Sequence, residues 1–591
     1  MAITADQLTI SGFRNFVRQI IRDKEAAGVV AVQNNPPDLL ERSKLYGTQF
    51  RNGSWTWTSN IWHRSAPNSV IVNSDDELKA QHKELMLAVL ERILCGPMIQ
   101  VDRNLGSPGT PGEMRCRLYC DPQFPDIAYR WGALNFDGDP AATPDVELFL
   151  IPHFLNNPNV PGKNAMLRVM RFPHHAYSIV TASSYQGEAK KGFLSHWIYH
   201  VYKRGGTGEH ASLKEFTIKR ADGKRKRIVM CVWGLTGSGK STHGLYVLDK
   251  STAPVYVQKF GVNLAEHVSD EVVKNDDVVA VFEDRVYSPE LGSWTKTEDV
   301  DESQIGIFRA ATAPHALHEN TEWDEHGNLC FDGKLFQHQG KLNRNARTVL
   351  RLADIGYFDG SVDSTEPLNF AIFISPGYIF DYGWLKLNDP AFAAKVLADG
   401  RTTGHPAQGS EGVGEEKYES RYCLPFTMGV GNAAHVHRFY YFLRTRCGTD
   451  NPIEVYQFNT TGRVGTRYEW VEQEYGGEKL SVPKCVFEER NGKKSAIGGT
   501  GPSIAETELF IYQAARGVVE YEPHPVWGDK VLVPARVPGL SDKRLKELNP
   551  FTYRSFDEMK KILHTQVRLS KYWLSKQCPG LSDEILNAMD F

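Results

Sequence analysis

The 591-residue chain has almost no net charge: 68 Lys and Arg stand against 71 Asp and Glu, a sum of -3. So balanced a chain is not built to bind bulk nucleic acid or an anionic membrane surface, although a local anion site is compatible with any total. Long apolar runs are missing too. None approaches the ~18 residues of a membrane-spanning helix, and the longest candidate, near 370–380, is broken by Ser375, Pro376 and Gly377. The opening stretch, MAITADQLTISGFRNFVRQI, lacks a basic segment followed by an apolar one, so no secretory signal is read. The cysteines number nine, thinly spread and without a C-x-x-C. The closest pair, Cys116 and Cys120, has helical i,i+4 spacing, and reduced packing cysteines are expected rather than a disulfide framework or a metal site. No repeat of roughly 20–50 residues signals a solenoid. These absences predict a cytoplasmic protein with no nucleic-acid or membrane partner, a monomer or small homo-oligomer.

What is present is ordinary globular composition, 41% hydrophobic and 24% charged, in a chain several times the ~150 residues of a typical domain. At least two domains and a large buried core are expected. Up to about residue 215 helical and strand patterns alternate, as in an α/β region. The spacing predicts a helix over 78–94 and strands at 146–151, 165–171 and 178–181. A break comes at Gly205, Gly206 and Gly208. The basic run 219–227 is read as a solvated hairpin turn, Ala-Asp-Gly, rather than a nucleic-acid patch. A strand over 228–233 follows. The polar, Gly-rich stretch 399–416 is long enough for a mobile lid, and two helices are expected at 505–516 and 556–576.

The strand 228–233 runs into Gly234-Leu235-Thr236-Gly237-Ser238-Gly239-Lys240-Ser241, followed by Thr242. This fits G-x-x-x-x-G-K-[ST] in the strand-to-helix context that supports the pattern. Glycines let successive backbone N–H groups face phosphate oxygens, and the next helix adds its positive end. Lys240 would reach the β and γ phosphates, and Ser241 would ligate a metal. A magnesium-binding acid should lie downstream. The candidates are Asp270, in Val268-Ser-Asp-Glu271, and Glu283 or Asp284, which follow the apolar run 278–282; spacing does not choose among them.

A second cluster lies upstream: Tyr185-Gln-Gly-Glu-Ala-Lys190-Lys191-Gly192, then His210-Ala-Ser212. Adjacent lysines can bind a dianion. A lysine whose pKa is depressed by neighbouring positive charge can serve as base or ligand, and His210 can ligate a metal.

Together the cluster and the loop resemble phosphoenolpyruvate carboxykinase, its ATP-dependent branch more than the GTP-dependent one. That family carries Y-x-G-E-x-K-K-G, an H-x-S element and G-L-S-G-T-G-K-T-T in this order, matched here by 185–192, 210–212 and 234–242. More distant similarities are His63-Arg64-Ser65-Ala66-Pro67 to G-R-S-P, Val268 to Glu271 to G-D-D-E-H-G, Arg344 to Thr348 to E-N-T-R-V, 402–411 to the family's lid, and Phe458 to Gly465 to a late Gly-rich element. Ser503-Ile-Ala-Glu-Thr-Glu508 looks like S-I-K-D-T-R, with Glu508 in place of an Arg that contacts nucleotide.

The resemblance implies a two-lobed α/β fold: an N-terminal substrate-binding domain over 1–215 and a C-terminal P-loop nucleotide domain over 216–591. It implies that Arg64 and Tyr185 hold the carboxylates of oxaloacetate or phosphoenolpyruvate. Lys191, His210 and Asp270 would ligate Mn²⁺, so that Asp270 is favoured over Asp284. Lys190 would contact substrate or CO2, and Lys240 and Ser241 would serve the ATP phosphates and Mg²⁺. Arg347 would bridge the transferring phosphoryl group and the substrate. The implied reaction is decarboxylation of oxaloacetate to an enolate that attacks the γ-phosphate. A kinase of the same fold with another acceptor or donor is the alternative. No role is read for the apparent insertion between Tyr287 and Glu325.

Overall fold

The structure, a computed structural model, describes the chain outside residues 1–3, 60–68, 154–168, 235–238, 299, 303, 332–345, 376–381, 400, 404–415, 419–426, 460–462 and 491–492. Arg64 and Leu235, Thr236, Gly237 and Ser238 therefore lie outside the described residues, as does most of the stretch expected to form a lid. The ends of that stretch, Arg401–Thr403 and Glu416–Tyr418, pair antiparallel. Among the described residues no helix is long and apolar enough to cross a membrane.

The fold is mixed α/β, and its apolar runs fill two eight-stranded sheets. In the first, Val146–Ile151 runs parallel to both Met114–Cys120 and Tyr177–Thr181. All six of its residues are buried, because helices cover both faces of the sheet. With side chains alternating along a strand, Phe149 and Ile151 pack with the helices Ile10–Ala26 and Ala80–Cys95. Val146, Leu148 and Leu150 pack on the other face with Pro125–Leu134 and Gln186–Lys203. Trp131, Phe193 and Trp197 fill that second layer; Trp197→Ala there would cost about 3–5 kcal/mol. Cys116 and Cys120 lie in this core on a strand, Met114–Cys120, not on a helix. Positions four apart share a face in either element, so the spacing alone did not discriminate. Cys116 and Cys120 are not joined to each other, and both are free thiols.

In the second sheet the central strand Arg225–Trp233 is antiparallel to Ala211–Lys219 and parallel to Phe370–Ser375. Its run Ile228-Val-Met-Cys-Val-Trp233 is continuous rather than alternating because cores lie on both sides. Val229, Cys231 and Trp233 face one; Ile228, Met230 and Val232 face the other. The basic run before it is a hairpin, with Lys219 opposite Arg225 and Arg227 paired to Glu215 at 2.7 Å. The expected helices appear as Ala80–Cys95, Ile504–Arg516 and Phe556–Gln577.

Two smaller sheets matter for the site. One joins Thr207–Glu209, Val279–Val281 and Val286–Tyr287. The other has five strands, ordered Gly292–Lys296, Arg347–Arg351, Leu317–Glu319, Trp55–Trp57 and Thr48–Gln49. The stretch between Tyr287 and Glu325 supplies two of those five strands and is part of the fold's framework.

Candidate active site

The chain crosses between sheets twice at one place. Thr207–Glu209 pairs with Val279–Val281, Glu209 opposite Val279. Ala211–Lys219 pairs with Val268–Asn275, Leu213 opposite Asn275. The residues left between the two pairings are His210, Ala211 and Ser212 on one side and Asp276, Asp277 and Val278 on the other. The crossing brings these two short stretches side by side, and the His210 side chain reaches Asp277, with His210 Nε2 3.0 Å from Asp277 Oδ1.

Asp277 is the centre of the site. Its Oδ2 lies 2.5 Å from Lys190 Nζ and 2.7 Å from Lys191 Nζ. Its Oδ1 lies 3.5 Å from Lys240 Nζ. Burial alone would raise this carboxyl, but the charges of Lys190, Lys191 and Lys240 and the hydrogen bond of His210 hold it well below the usual carboxylate range. Asp270 does not reach this cluster. It is exposed, its carboxylate accepts from the Ser269 hydroxyl, and its backbone carbonyl accepts from Arg227 at 2.7 Å. Asp270 stands near the far end of Val268–Asn275, away from the cluster; the carboxylate that reaches Lys190, Lys191 and His210 is Asp277, just past the other end of the strand. Glu283 and Asp284 are exposed on a turn beyond Val279–Val281.

Both lysines sit in the first half of the helix Gln186–Lys203, yet the same carboxylate serves them differently. Lys190 also meets Glu290 at 2.9 Å; against the cost of burial, Asp277 and Glu290 raise its pKa and keep it an ammonium ion. Lys191 is lowered to about 8 by burial and by the charge of Lys190. His210 is lowered to about 4 by burial and by Lys240, so its ring is neutral near pH 7.

The strand Arg225–Trp233 ends beside this cluster. Gly239, with φ +97°, opens the short helix Lys240–Gly244, which carries Lys240, Ser241 and Thr242. That backbone angle suits glycine and strains other residues. Lys240 Nζ donates to the carbonyl of Asp276, and to that of Asp277 at 3.3 Å. The Ser241 hydroxyl donates to Asp276 Oδ2 at 2.9 Å, and Thr295 donates to the same oxygen at 3.2 Å. Asp276 Oδ1 is buried with no hydrogen-bond partner among the described residues. Burial raises the Asp276 pKa, only partly offset by Lys240.

The five-stranded sheet forms a wall beside the lysines. Trp294 packs at a tilt against Tyr185, with ring centroids 5.4 Å apart and planes at 57°. Lys190 Nζ and the Arg347 guanidinium lie 5.8 and 4.8 Å from its ring centre. Burial raises the Tyr185 phenol well above 10, opposed by the adjacent Arg347 charge, so Tyr185 remains a hydrogen-bond donor. Register places Arg347 opposite both Lys296 and Glu319. Glu319 meets Arg130 at 3.2 Å and accepts from the Gln186 backbone N–H at 3.0 Å, tying the wall to the start of the lysine helix. Of the expected residues, the structure thus gathers Tyr185, Lys190, Lys191, His210, Lys240, Ser241 and Arg347. Sequence reading missed Asp276, Asp277, Glu290, Trp294 and Thr295. The signal for the first two was available: adjacent acids immediately before the apolar run 278–282.

Among the described residues no three His, Cys, Asp or Glu side chains cluster as a metal site. Lysine falls outside that set. With Lys191 depressed, His210 neutral and Asp277 ionised, one nitrogen from each of two residues and a carboxylate converge, a donor set that could hold a divalent cation. The unpartnered Asp276 oxygen beside the Ser241 hydroxyl supplies oxygen donors of the kind Mg²⁺ takes.

Comparison with known proteins agrees in location. Residues 97–375 match the family model of phosphoenolpyruvate carboxykinase. Over 335 residues the chain is 28% identical to the phosphoenolpyruvate carboxykinase (ATP) of Aeropyrum pernix, covering 56% of this chain and 60% of that relative. The family match contains each gathered residue, from Tyr185 to Arg347.

Proposed function

We propose that the chain is an ATP-dependent phosphoenolpyruvate carboxykinase, which converts oxaloacetate and ATP to phosphoenolpyruvate, CO2 and ADP. One observation carries this reading. A single carboxylate, Asp277, gathers Lys190, Lys191 and His210 from the lysine cluster and Lys240 from the phosphate loop. A phosphoryl donor and a metal-dependent acceptor would therefore meet at one point. A plain kinase has no need for the Tyr185, Lys190 and Arg347 surroundings. The reading includes a substrate domain over 1–215, a nucleotide domain over 216–591 and a cytoplasmic location.

Divalent cations, held by Lys191, His210 and Asp277 and by Ser241 and Asp276, would supply positive charge to the enolate oxygen and to the nucleotide phosphates. The chain's own groups do the rest. The Tyr185 phenol and the Arg347 guanidinium orient the substrate carboxylates. Lys190, kept cationic by Asp277 and Glu290, stabilises the negative charge that develops as CO2 departs. Lys240 binds the β and γ phosphates and draws charge from the transferring group, with Arg347 on its other side. Trp294 holds Arg347 and Lys190 at a fixed separation by its ring face.

The test mixes the purified protein with Mn²⁺, oxaloacetate and, separately, ATP, GTP, ITP or pyrophosphate. Phosphoenolpyruvate formation that depends on ATP is the expected result. ATP hydrolysis without phosphoenolpyruvate from any donor refutes the reading in favour of a kinase with another acceptor.

A further inference from the structure

Glu508 stands where the resembled family has an arginine that contacts nucleotide, but the structure buries it completely. It lies on the helix Ile504–Arg516, whose start is fixed by a capping box between Ser503 and Glu506. Its Oε1 is 2.7 Å from Nδ1 of His243. His243 belongs to the same short helix as Lys240 and Ser241 and is itself 3% exposed. The contact turns Nδ1 of the ring to the Glu508 carboxyl and fixes the orientation of the ring.

The contact belongs to a buried frame behind that helix. The other oxygen of Glu508 is 4.0 Å from Lys214 Nζ. Lys214 is 2.9 Å from Glu271 and donates to the Tyr246 carbonyl at 2.8 Å. Glu271 accepts from the Leu248 N–H at 2.6 Å and from the Tyr512 hydroxyl at 2.7 Å. Tyr246 and Leu248 are the residues by which the chain leaves the helix. On another side Gly244 packs so closely on the strand Ala211–Lys219 that a Cβ there would lie 2.1 Å from the Ser212 hydroxyl oxygen. The helix is thus pressed against a strand at Gly244 and tied to a second helix at His243.

We infer that Glu508 is a positioning residue for the helix Lys240–Gly244, acting through His243 to fix the seat from which Lys240 and Ser241 meet nucleotide phosphates. The inference rests on the reading that those two residues serve the nucleotide. Removing one partner of a buried pair leaves the other without its hydrogen bond in a place water does not reach, and the nearest relief is a shift of the short helix that carries Lys240. Lys191, His210 and Asp277 lie on other elements and meet this helix through Lys240, whose Nζ is 3.5 Å from Asp277, so a shift of the helix should affect the nucleotide seat far more than those three groups.

The experiment measures equilibrium binding of ATP, and separately of Mn²⁺ alone, to the full chain and to its Glu508→Gln and Glu508→Ala variants. Glu508→Gln keeps the volume and a hydrogen-bonding group for Nδ1. The expected order is a rise in the ATP Kd of about tenfold for Glu508→Ala and about threefold for Glu508→Gln, with the Mn²⁺ Kd unchanged in both. If Glu508→Ala shows no cooperative thermal transition, Glu508→Gln carries the test alone. An ATP Kd equal to that of the parent in the folded variants, or a Mn²⁺ Kd that rises in step with that for ATP, overturns the inference. Failure of the carboxykinase reading looks different: the parent protein then binds ATP and forms no phosphoenolpyruvate, whatever residue 508 does.

Discussion

His210 Nε2 lies 3.0 Å from Asp277 Oδ1, at a point where two antiparallel strand pairs hand the chain from one sheet to another. Neither residue belongs to a strand, and each is held by strands on both sides. That arrangement fixes the two donors without asking a flexible loop to place them, and Lys191 arrives at the same carboxylate from a helix.

If these three groups are metal ligands, Asp277→Asn removes the only anionic one. Mn²⁺ affinity, followed by titration of the free ion's magnetic resonance signal, should fall by at least about a hundredfold, roughly 3 kcal/mol. Asp270→Asn, exposed near the far end of its strand, should leave it unchanged. A loss in Asp270→Asn with retention in Asp277→Asn would return the metal to the position favoured by motif similarity.

Part of this site was legible because its residues are close in sequence. Tyr185 stands at the cap and Lys190 and Lys191 in the first two turns of one helix, and Lys240 and Ser241 follow a strand whose buried run is unmistakable. Asp277 was adjacent to an apolar run as well, but on its leading side, whereas acids were sought at its trailing end, at Glu283. Trp294, Glu290 and Thr295 carried no local signal. They come to the site through pairing of Gly292–Lys296 with Arg347–Arg351, and pairing between distant segments leaves no mark in spacing along either one. Glu508 read as a lost nucleotide contact for the same reason: nothing near it in sequence reveals His243.

Lys240→Ala should remove phosphoryl transfer by a factor of roughly 100–1000, in line with the loss of one preorganised cation at a transition state. Phosphoenolpyruvate formation from oxaloacetate and ATP is the readout. The Mn²⁺ Kd should stay within about twofold, because Lys240 is 3.5 Å from Asp277 and contributes charge rather than a ligand. A large change in metal binding would show that the two halves of the site cannot be separated.

Trp294→Leu tests the sheet wall. The indole ring lies under both Arg347 and Lys190, and contacts of this kind contribute about 0.5–2 kcal/mol each when desolvated. Leucine fills part of the volume but has no quadrupole to hold a cation. The expected outcome is a fall of about tenfold in kcat/KM for oxaloacetate, with the KM for ATP little changed. If both substrates suffer equally, the ring supports the fold of the wall rather than the placing of these two cations.

The last prediction concerns a buried lysine outside the site. Lys395, on the helix Pro390–Ala398, is 0% exposed and donates to the Leu586 carbonyl at 2.8 Å, which ties that helix to the C-terminal segment. Burial lowers its pKa to about 8, against 10.5 for a free lysine, despite the nearby charge of Asp399. Below pH 8 both folded and unfolded chains carry this proton, and the folded state bears the full cost of a buried charge. Between about pH 8 and 10.5 the folded chain has released the proton while the unfolded chain retains it. The unfolded state then binds more protons, and this group makes stability rise with pH across that window. Other lysines and the tyrosines also titrate at high pH, so the effect is read as a difference from Lys395→Met, which keeps the stem and removes the amine. The unfolding temperature of the parent should gain on that of the variant as pH increases from 8 to 10, and the variant should be the more stable of the two at pH 7. A difference that stays constant with pH would mean that Lys395 holds the same proton folded and unfolded, and that its burial is relieved in solution.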